Sequence, residues 1–148
     1  MEKILIIEDD KPIVTALKVR LQAQGYEVGA AFDAVLAMSR AVEFQPDLVL
    51  LDISMPGGNG FMVAERLRNS PVTSGVPVIF LTASKQSGLR EKATELGAVG
   101  FFEKPYEAEE LLGAITVALR HESQQAKVSQ QPYDLDAAPT TVTSGAAR

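Results

Sequence analysis

The chain of 148 residues holds 14 Lys and Arg against 19 Asp and Glu, a formal net charge of −5, with 46% apolar residues and no cysteine. Such a length sets an expectation of one domain that folds without disulfides or a structural metal, and the missing thiols exclude Cys nucleophiles and thiolate metal sites. The single His121 excludes a multi-histidine metal centre, and an acidic chain with no Lys or Arg cluster is not expected to grip nucleic acid or an anionic membrane directly.

The opening MEKILIIEDD is not a leader peptide, because its apolar run is only Ile4 to Ile7 and acids follow at once. No stretch approaches the roughly 20 apolar residues of a membrane helix, so a cytoplasmic location is the expectation. Ile4 to Ile7 reads as a buried strand. A helix follows, with Ile13, Leu17 and Leu21 four apart, Pro12 in the first turn and Gly25 as the stop. A weaker strand lies at Tyr26 to Ala30, and Asp33 is placed to cap a second helix carrying Leu36, Ala37, Arg40 and Ala41.

Leu48 to Leu51 reads as the next strand. Pro56-Gly57 then fits a turn with Pro at the first central position and Gly at the second, which lets the chain enter a third helix near Gly60, over Phe61 to Leu67. The run Val76 to Leu81 around Pro77 is a fourth strand, Leu89 to Leu96 a helix ending at Gly97, Val99 to Phe102 a fifth strand, and Ala108 to Leu119 a fifth helix. The apolar runs are continuous rather than alternating, as in parallel strands covered on both faces. Five strand–helix alternations predict a doubly wound α/β fold, with ligands bound beyond the carboxyl ends of the strands.

From about His121 the composition changes. The last 28 residues hold only Val128, Leu135 and Val142 from the Leu, Ile, Val and Phe set, among Gln, Ser, Thr, Ala and Pro. Too little apolar surface remains there to build a core. The expected division is a domain over 1–122 and a flexible tail or truncated linker over 123–148, with the fifth helix running a turn or two into Gln124-Gln125.

Chemistry-bearing residues follow the strands directly. Glu8-Asp9-Asp10 closes the first, Asp52 the third, Thr82 the fourth, and Lys104-Pro105 the fifth. If the first and third strands are neighbours, Glu8, Asp9 and Asp52 converge. Two carboxylates about 4 Å apart repel by roughly 4 kcal/mol at an effective dielectric of about 20, so such a cluster needs protons or a cation, and an open set of hard oxygens suits Mg²⁺. Acids at that place also suit simple helix capping. Thr82 and Lys104 are the hydroxyl and ammonium that would surround a phosphoryl group, although each alone is also an ordinary strand-end residue.

In this order the residues resemble the receiver domains of two-component response regulators. The matching stretches are ILIIEDD at 4–10, DLVLLDISMPGGNGF at 47–61, PVIFLTA at 77–83 and GAVGFFEKPY at 97–106, and the likeness covers about residues 2 to 121. The resemblance implies a five-stranded parallel sheet of flavodoxin-like order 2-1-3-4-5 with five helices. It implies Asp52 as phosphoacceptor, with Mg²⁺ held by Asp9, Asp52, the main-chain carbonyl of Ser54 and, through water, Glu8. Thr82 and Lys104 would contact the phosphoryl group, Thr82 and Phe101 would act as the switch pair, and the Lys104–Pro105 bond would be cis.

The implied partners are a sensor histidine kinase or phosphotransfer protein upstream and an unknown protein downstream, reached through the face from the fourth helix to the fifth. No enzyme activity beyond self-phosphorylation and auto-dephosphorylation is expected. Ser54 and Ser84, at positions that tune acyl-phosphate lifetime in the family, are both small. Val99, Gly100 and Ala114 stand where receivers joined to winged-helix domains often carry dimer-forming ion pairs, so that dimer is not expected. A fragment of a longer multidomain regulator fits the same residues. An Asp-dependent phosphatase of the haloacid dehalogenase type fits poorly, because Asp52-Ile53-Ser54 lacks that family's second Asp.

Overall fold

A computed structural model describes residues 1–130, with side chains described through His121. The chain begins with β1 (Lys3–Ile7), α1 (Lys11–Ala23), β2 (Glu27–Ala31), α2 (Ala34–Phe44) and β3 (Leu48–Asp52). A short hairpin follows, β4 (Ser54–Met55) and β5 (Gly58–Asn59), then α3 (Gly60–Asn69) and β6 (Val78–Thr82). The remaining elements are α4 (Leu89–Glu95), β7 (Gly100–Glu103) and α5 (Ala108–Gln130). Five strands form one parallel sheet in the order β2-β1-β3-β6-β7, which is 2-1-3-4-5 when the hairpin is left out of the count.

The continuous apolar runs have the expected cause. Side chains alternate across a strand, and each run supplies both faces. Leu5, Ile7, Val49, Leu51 and Phe80 enter a core with α2, α3 and α4. Ile4, Ile6, Leu48, Leu50, Ile79 and Leu81 enter a second core with α1 and α5. Each fully buried Leu or Ile contributes roughly 1.5–3 kcal/mol, so the two central strands β1 and β3 anchor the sheet between these layers. Pro77 lies just before β6, where it removes no ladder donor.

Three helices start on side-chain caps. Asp10 accepts from Ile13 N, Asp33 from Leu36 N and Asn59 from Met62 N, at 3.2, 2.8 and 2.9 Å. Asn59 was not singled out from sequence. The inner face of α2 is Ala34, Ala37 and Ala41, whereas Leu36 is 53% exposed. The expected turn is present, with Gly57 at φ +83° between the arms of the hairpin, and Pro56 O accepts from Ala34 N at 3.2 Å. α5 runs to Gln130, past Leu119 and past the boundary expected at residue 122. Residues 131–148 of the expected tail lie outside the described residues. Among the described residues no helix is long and apolar enough to cross a membrane.

Candidate functional site

Parallel strands all point their carboxyl ends the same way, so the residue after each core strand arrives at one edge of the sheet. β1 pairs with β3 in the register Ile7↔Leu51, which carries Glu8 and Asp52 to that edge side by side. β3 pairs with β6 as Asp52↔Leu81, leaving Thr82 one residue further out, and β6 pairs with β7 as Thr82↔Glu103, placing Lys104 next. The amide of Lys104 donates to Thr82 O at 2.7 Å and joins those two strand ends.

The acidic triplet divides its work. Asp10 caps α1, while Glu8 and Asp9 turn toward Asp52, and one carboxylate oxygen from each of Glu8, Asp9 and Asp52 lies within 4.8 Å of the others. Both the capping and the clustering readings of the sequence are therefore realised, by different residues. Glu8 and Asp52 are buried and Asp9 is exposed. Lys104 forms an ion pair with Glu8, and its ammonium stands 3.9 Å from Asp52 Oδ1.

The electrostatics follow from burial. Loss of water, then a hydrogen bond to Glu8 and the charge of Glu8, push the Asp52 carboxyl up from 3.8 to about 7, against the opposing charge of Lys104. Burial also acts to raise Glu8. Its hydrogen bonds with Asp52 and Lys104 and the Lys104 charge outweigh that, so Glu8 lies below the ordinary range. Asp9 is raised, by desolvation first and by Glu8 second. Below about pH 7 the metal-free cluster thus keeps a proton on Asp52, facing a Glu8 held ionised. Three hard oxygen ligands carrying more negative charge than one lysine balances fit a small divalent cation such as Mg²⁺.

Other predicted residues sit around this centre. Ser54, at the start of the hairpin, donates its amide to Asp52 Oδ1 at 3.3 Å. Thr82 is fully buried, and its hydroxyl oxygen accepts from Ser84 N at 3.0 Å. The Lys104–Pro105 peptide is cis. Phe101 packs against the core beside α4 and Phe102 against the opposite core. Val99 is exposed at the amino end of β7, and Ala114 lies on α5, both away from the carboxyl edge.

Two packing roles at the site carry no signal in the sequence. Gly60 backs directly onto the Asp52 loop: its amide donates to Ile53 O at 2.7 Å, and a Cβ there would lie 2.3 Å from Asp52 O. Nothing in the local pattern distinguishes this glycine from an ordinary helix-start residue. Lys85 donates to Glu103 Oε2 at 3.2 Å and to Lys104 O at 3.3 Å, tying the loop after Thr82 to the loop that carries Lys104. Its partners are 18 and 19 positions away, so no spacing signal could have found them.

Comparison with known proteins agrees with this arrangement. The response regulator receiver domain family matches residues 4–116. The chain is 34% identical over 142 residues to the DNA-binding dual master transcriptional regulator RpaA of Synechocystis sp., covering 96% of this chain and 59% of RpaA. It is 39% identical over 103 residues to the response regulator PleD of Caulobacter vibrioides, covering 70% of this chain and 23% of PleD. The chain therefore spans less than two thirds of the length of each of these relatives. Among solved structures, a CheY-like receiver domain protein from Methanospirillum hungatei JF-1 superposes with a TM-score of 0.79 at 26% identity, covering 84% of this chain and 98% of that one.

Proposed function

The chain belongs to the response regulator receiver family, and on that premise we propose that Asp52 accepts a phosphoryl group in a Mg²⁺-dependent reaction. The observation that carries this is the convergence of Glu8, Asp9 and Asp52 within 4.8 Å, with Lys104 paired into the cluster. Asp9, Asp52 and the main-chain carbonyl of Ser54 would hold the ion, with Glu8 acting through water. Bound there, Mg²⁺ supplies charge neutralisation for the carboxylates and for the incoming phosphoryl oxygens.

The Asp52 carboxylate is the nucleophile: its oxygen bonds to phosphorus as the bond from phosphorus to the donor (an imidazole nitrogen, or an oxygen of acetyl phosphate) breaks, and the donor leaves with that electron pair, giving an acyl phosphate. The Asp52 proton must leave before attack, and the Lys104 ammonium, paired with Glu8 and 3.9 Å from Asp52 Oδ1, favours that loss. The Lys104 ammonium exchanges part of its pairing with Glu8 for phosphoryl oxygens, and the Thr82 hydroxyl donates one hydrogen bond to them. Thr82 and Phe101 then form the switch pair. Phe101 lacks a hydroxyl, so its contribution is burial of the ring.

The phosphoryl donor is a sensor histidine kinase or phosphotransfer protein. The recipient of the signal is a protein that reads the face of α4, β7 and α5. The chain makes no direct contact with nucleic acid or membrane, works in the cytoplasm, and catalyses nothing beyond its own phosphorylation and dephosphorylation. Residues 1–122 are its signalling unit. The test is incubation with Mg²⁺ and acetyl phosphate, read by intact mass: one phosphoryl adduct is expected in wild type, and none with EDTA or in Asp52→Asn. No adduct in wild type, or an undiminished one in Asp52→Asn, overturns the assignment.

A further inference from the structure

Among the described residues four of the five helices are held by apolar faces, and α4 is the exception. α3 buries Gly60, Phe61, Val63, Ala64 and Leu67, and α1 and α2 bury three residues each, whereas α4 buries only Ala93. Leu89 and Leu96 at its two ends are partly covered. α1, α2 and α3 each start on an Asp or Asn side-chain cap. α4 starts on Gly88 at φ +86° with no side-chain cap bond. Seven residues with one buried side chain and no cap form a weakly anchored helix.

Cations on α4 supply further attachment. The Arg90 guanidinium lies 4.7 Å over the ring of Phe101, and the Lys92 ammonium 4.9 Å over the ring of Phe61. Both rings lead back to the phosphoacceptor. Phe61 follows Gly60, which hydrogen-bonds the Asp52 loop, and stacks edge-on to Phe80 at 5.1 Å. Phe101 stands opposite Phe80 in the β6–β7 register. The segment entering α4 is tied to the same centre, since Ser84 N bonds the Thr82 hydroxyl and Gln86 N bonds Ser84 Oγ at 3.2 Å.

We propose that Arg90 and Lys92 form a cationic latch that holds α4 in its resting place, and that release of this latch carries the change at Asp52 to the α4 surface. The second half rests on the phosphoacceptor reading above. Exposed cation–π contacts are weak, each shifting an equilibrium by about 2- to 5-fold, which suits a latch that has to open. When Phe101 moves inward it leaves Arg90 without its ring, and α4 loses one of its two aromatic seats. By linkage, a latch that opposes the phosphorylated form must, once removed, favour phosphorylation by the same factor.

The test uses the full chain with Arg90→Met and Lys92→Met, which keep an apolar stem, and Arg90→Lys, which keeps the charge. Hydrogen exchange of α4 amides in the unphosphorylated protein is expected to quicken about 2- to 5-fold in each Met variant and about 10-fold in the double variant. Arg90→Lys should stay near wild type, and exchange in β1 and β3 should not move. Under limiting acetyl phosphate and Mg²⁺, the phosphorylated fraction should rise by a similar factor. Unchanged α4 exchange overturns the latch, and faster exchange with unchanged phosphorylation overturns its coupling to Asp52. Repeating the exchange measurement in Asp52→Asn separates the two readings, because the latch must still be seen there even if Asp52 takes no phosphate.

Discussion

Asp52→Asn should make the metal-free protein more stable, and increasingly so as pH rises. In the folded chain the Asp52 carboxyl is pushed up to about 7 by burial and by Glu8, against 3.8 for the ordinary group. A group raised by folding contributes stability that is complete below its unfolded value and is lost as pH climbs through its folded value. Wild type should therefore weaken between about pH 4 and pH 7 and level off above, at about 1.4 kcal/mol for each pH unit. Asn carries no titrating proton, so this loss is missing from the variant. Between pH 5 and pH 8 the gap between the two proteins should widen by about 2–3 kcal/mol in favour of Asp52→Asn. Comparing two pH values cancels whatever the amide gains or loses in packing. Glu8, lowered by its partners, is present in both proteins and is only partly affected. The assay is urea unfolding followed by circular dichroism in EDTA across that range. A gap that stays constant from pH 5 to pH 8 would refute the proton-sharing account of the cluster. Saturating Mg²⁺ should shrink the gap, because an ion that binds only the folded wild type stabilises it by mass action.

Gly60→Ala should destabilise by about 2–3 kcal/mol in urea titration although Ala is the better helix former. Its Cβ would sit 2.3 Å from Asp52 O and 2.9 Å from Ile53 Cα, both backbone atoms that cannot rotate aside. Lys104→Met removes the partner of Glu8, which is buried, so metal-free stability should fall by about 2–3 kcal/mol at pH 8. The loss should be smaller at pH 5, where Asp52 keeps its proton, and equal losses at the two pH values would count against the pairing. Thr73→Val tests a buried bond remote from the site. The Thr73 hydroxyl donates to Leu67 O at 2.7 Å, so the variant should lose about 1–2 kcal/mol with phosphorylation by acetyl phosphate unchanged.

Much of the fold was legible because its cause is local. Four continuous apolar runs became four strands of the large sheet, and Asp33 capped its helix as its chemistry requires. α3 begins at Gly60, where the Pro56-Gly57 turn predicts its entry, because Asn59 caps it and only a glycine fits against the Asp52 carbonyl. One boundary lies beyond its expected place. α5 continues beyond Leu119 because helix formation there needs only backbone bonds, and the loss of apolar residues that suggested a boundary does not break a helix that meets neither Gly nor Pro between Leu119 and Gln130.

The site was legible in the same measure. Acids, hydroxyl and ammonium each follow their own strand, and a parallel sheet must bring such residues to one edge, so the convergence of Glu8, Asp9, Asp52, Thr82 and Lys104 was implicit in their order along the chain. Their division of labour was not. Asp10 caps α1 through a local bond to Ile13 N, but which acid shares a proton with Asp52, and that Lys104 lies against Glu8 with Asp52 beyond it, are settled by contacts across 44 to 96 positions. The same holds for Gly60 behind Asp52, Lys85 across to Glu103, and the aromatic rings beneath Arg90 and Lys92. Order and periodicity along a chain decide which elements form and which ends they share. Distances and charges between groups far apart in the chain exist only once the elements have packed.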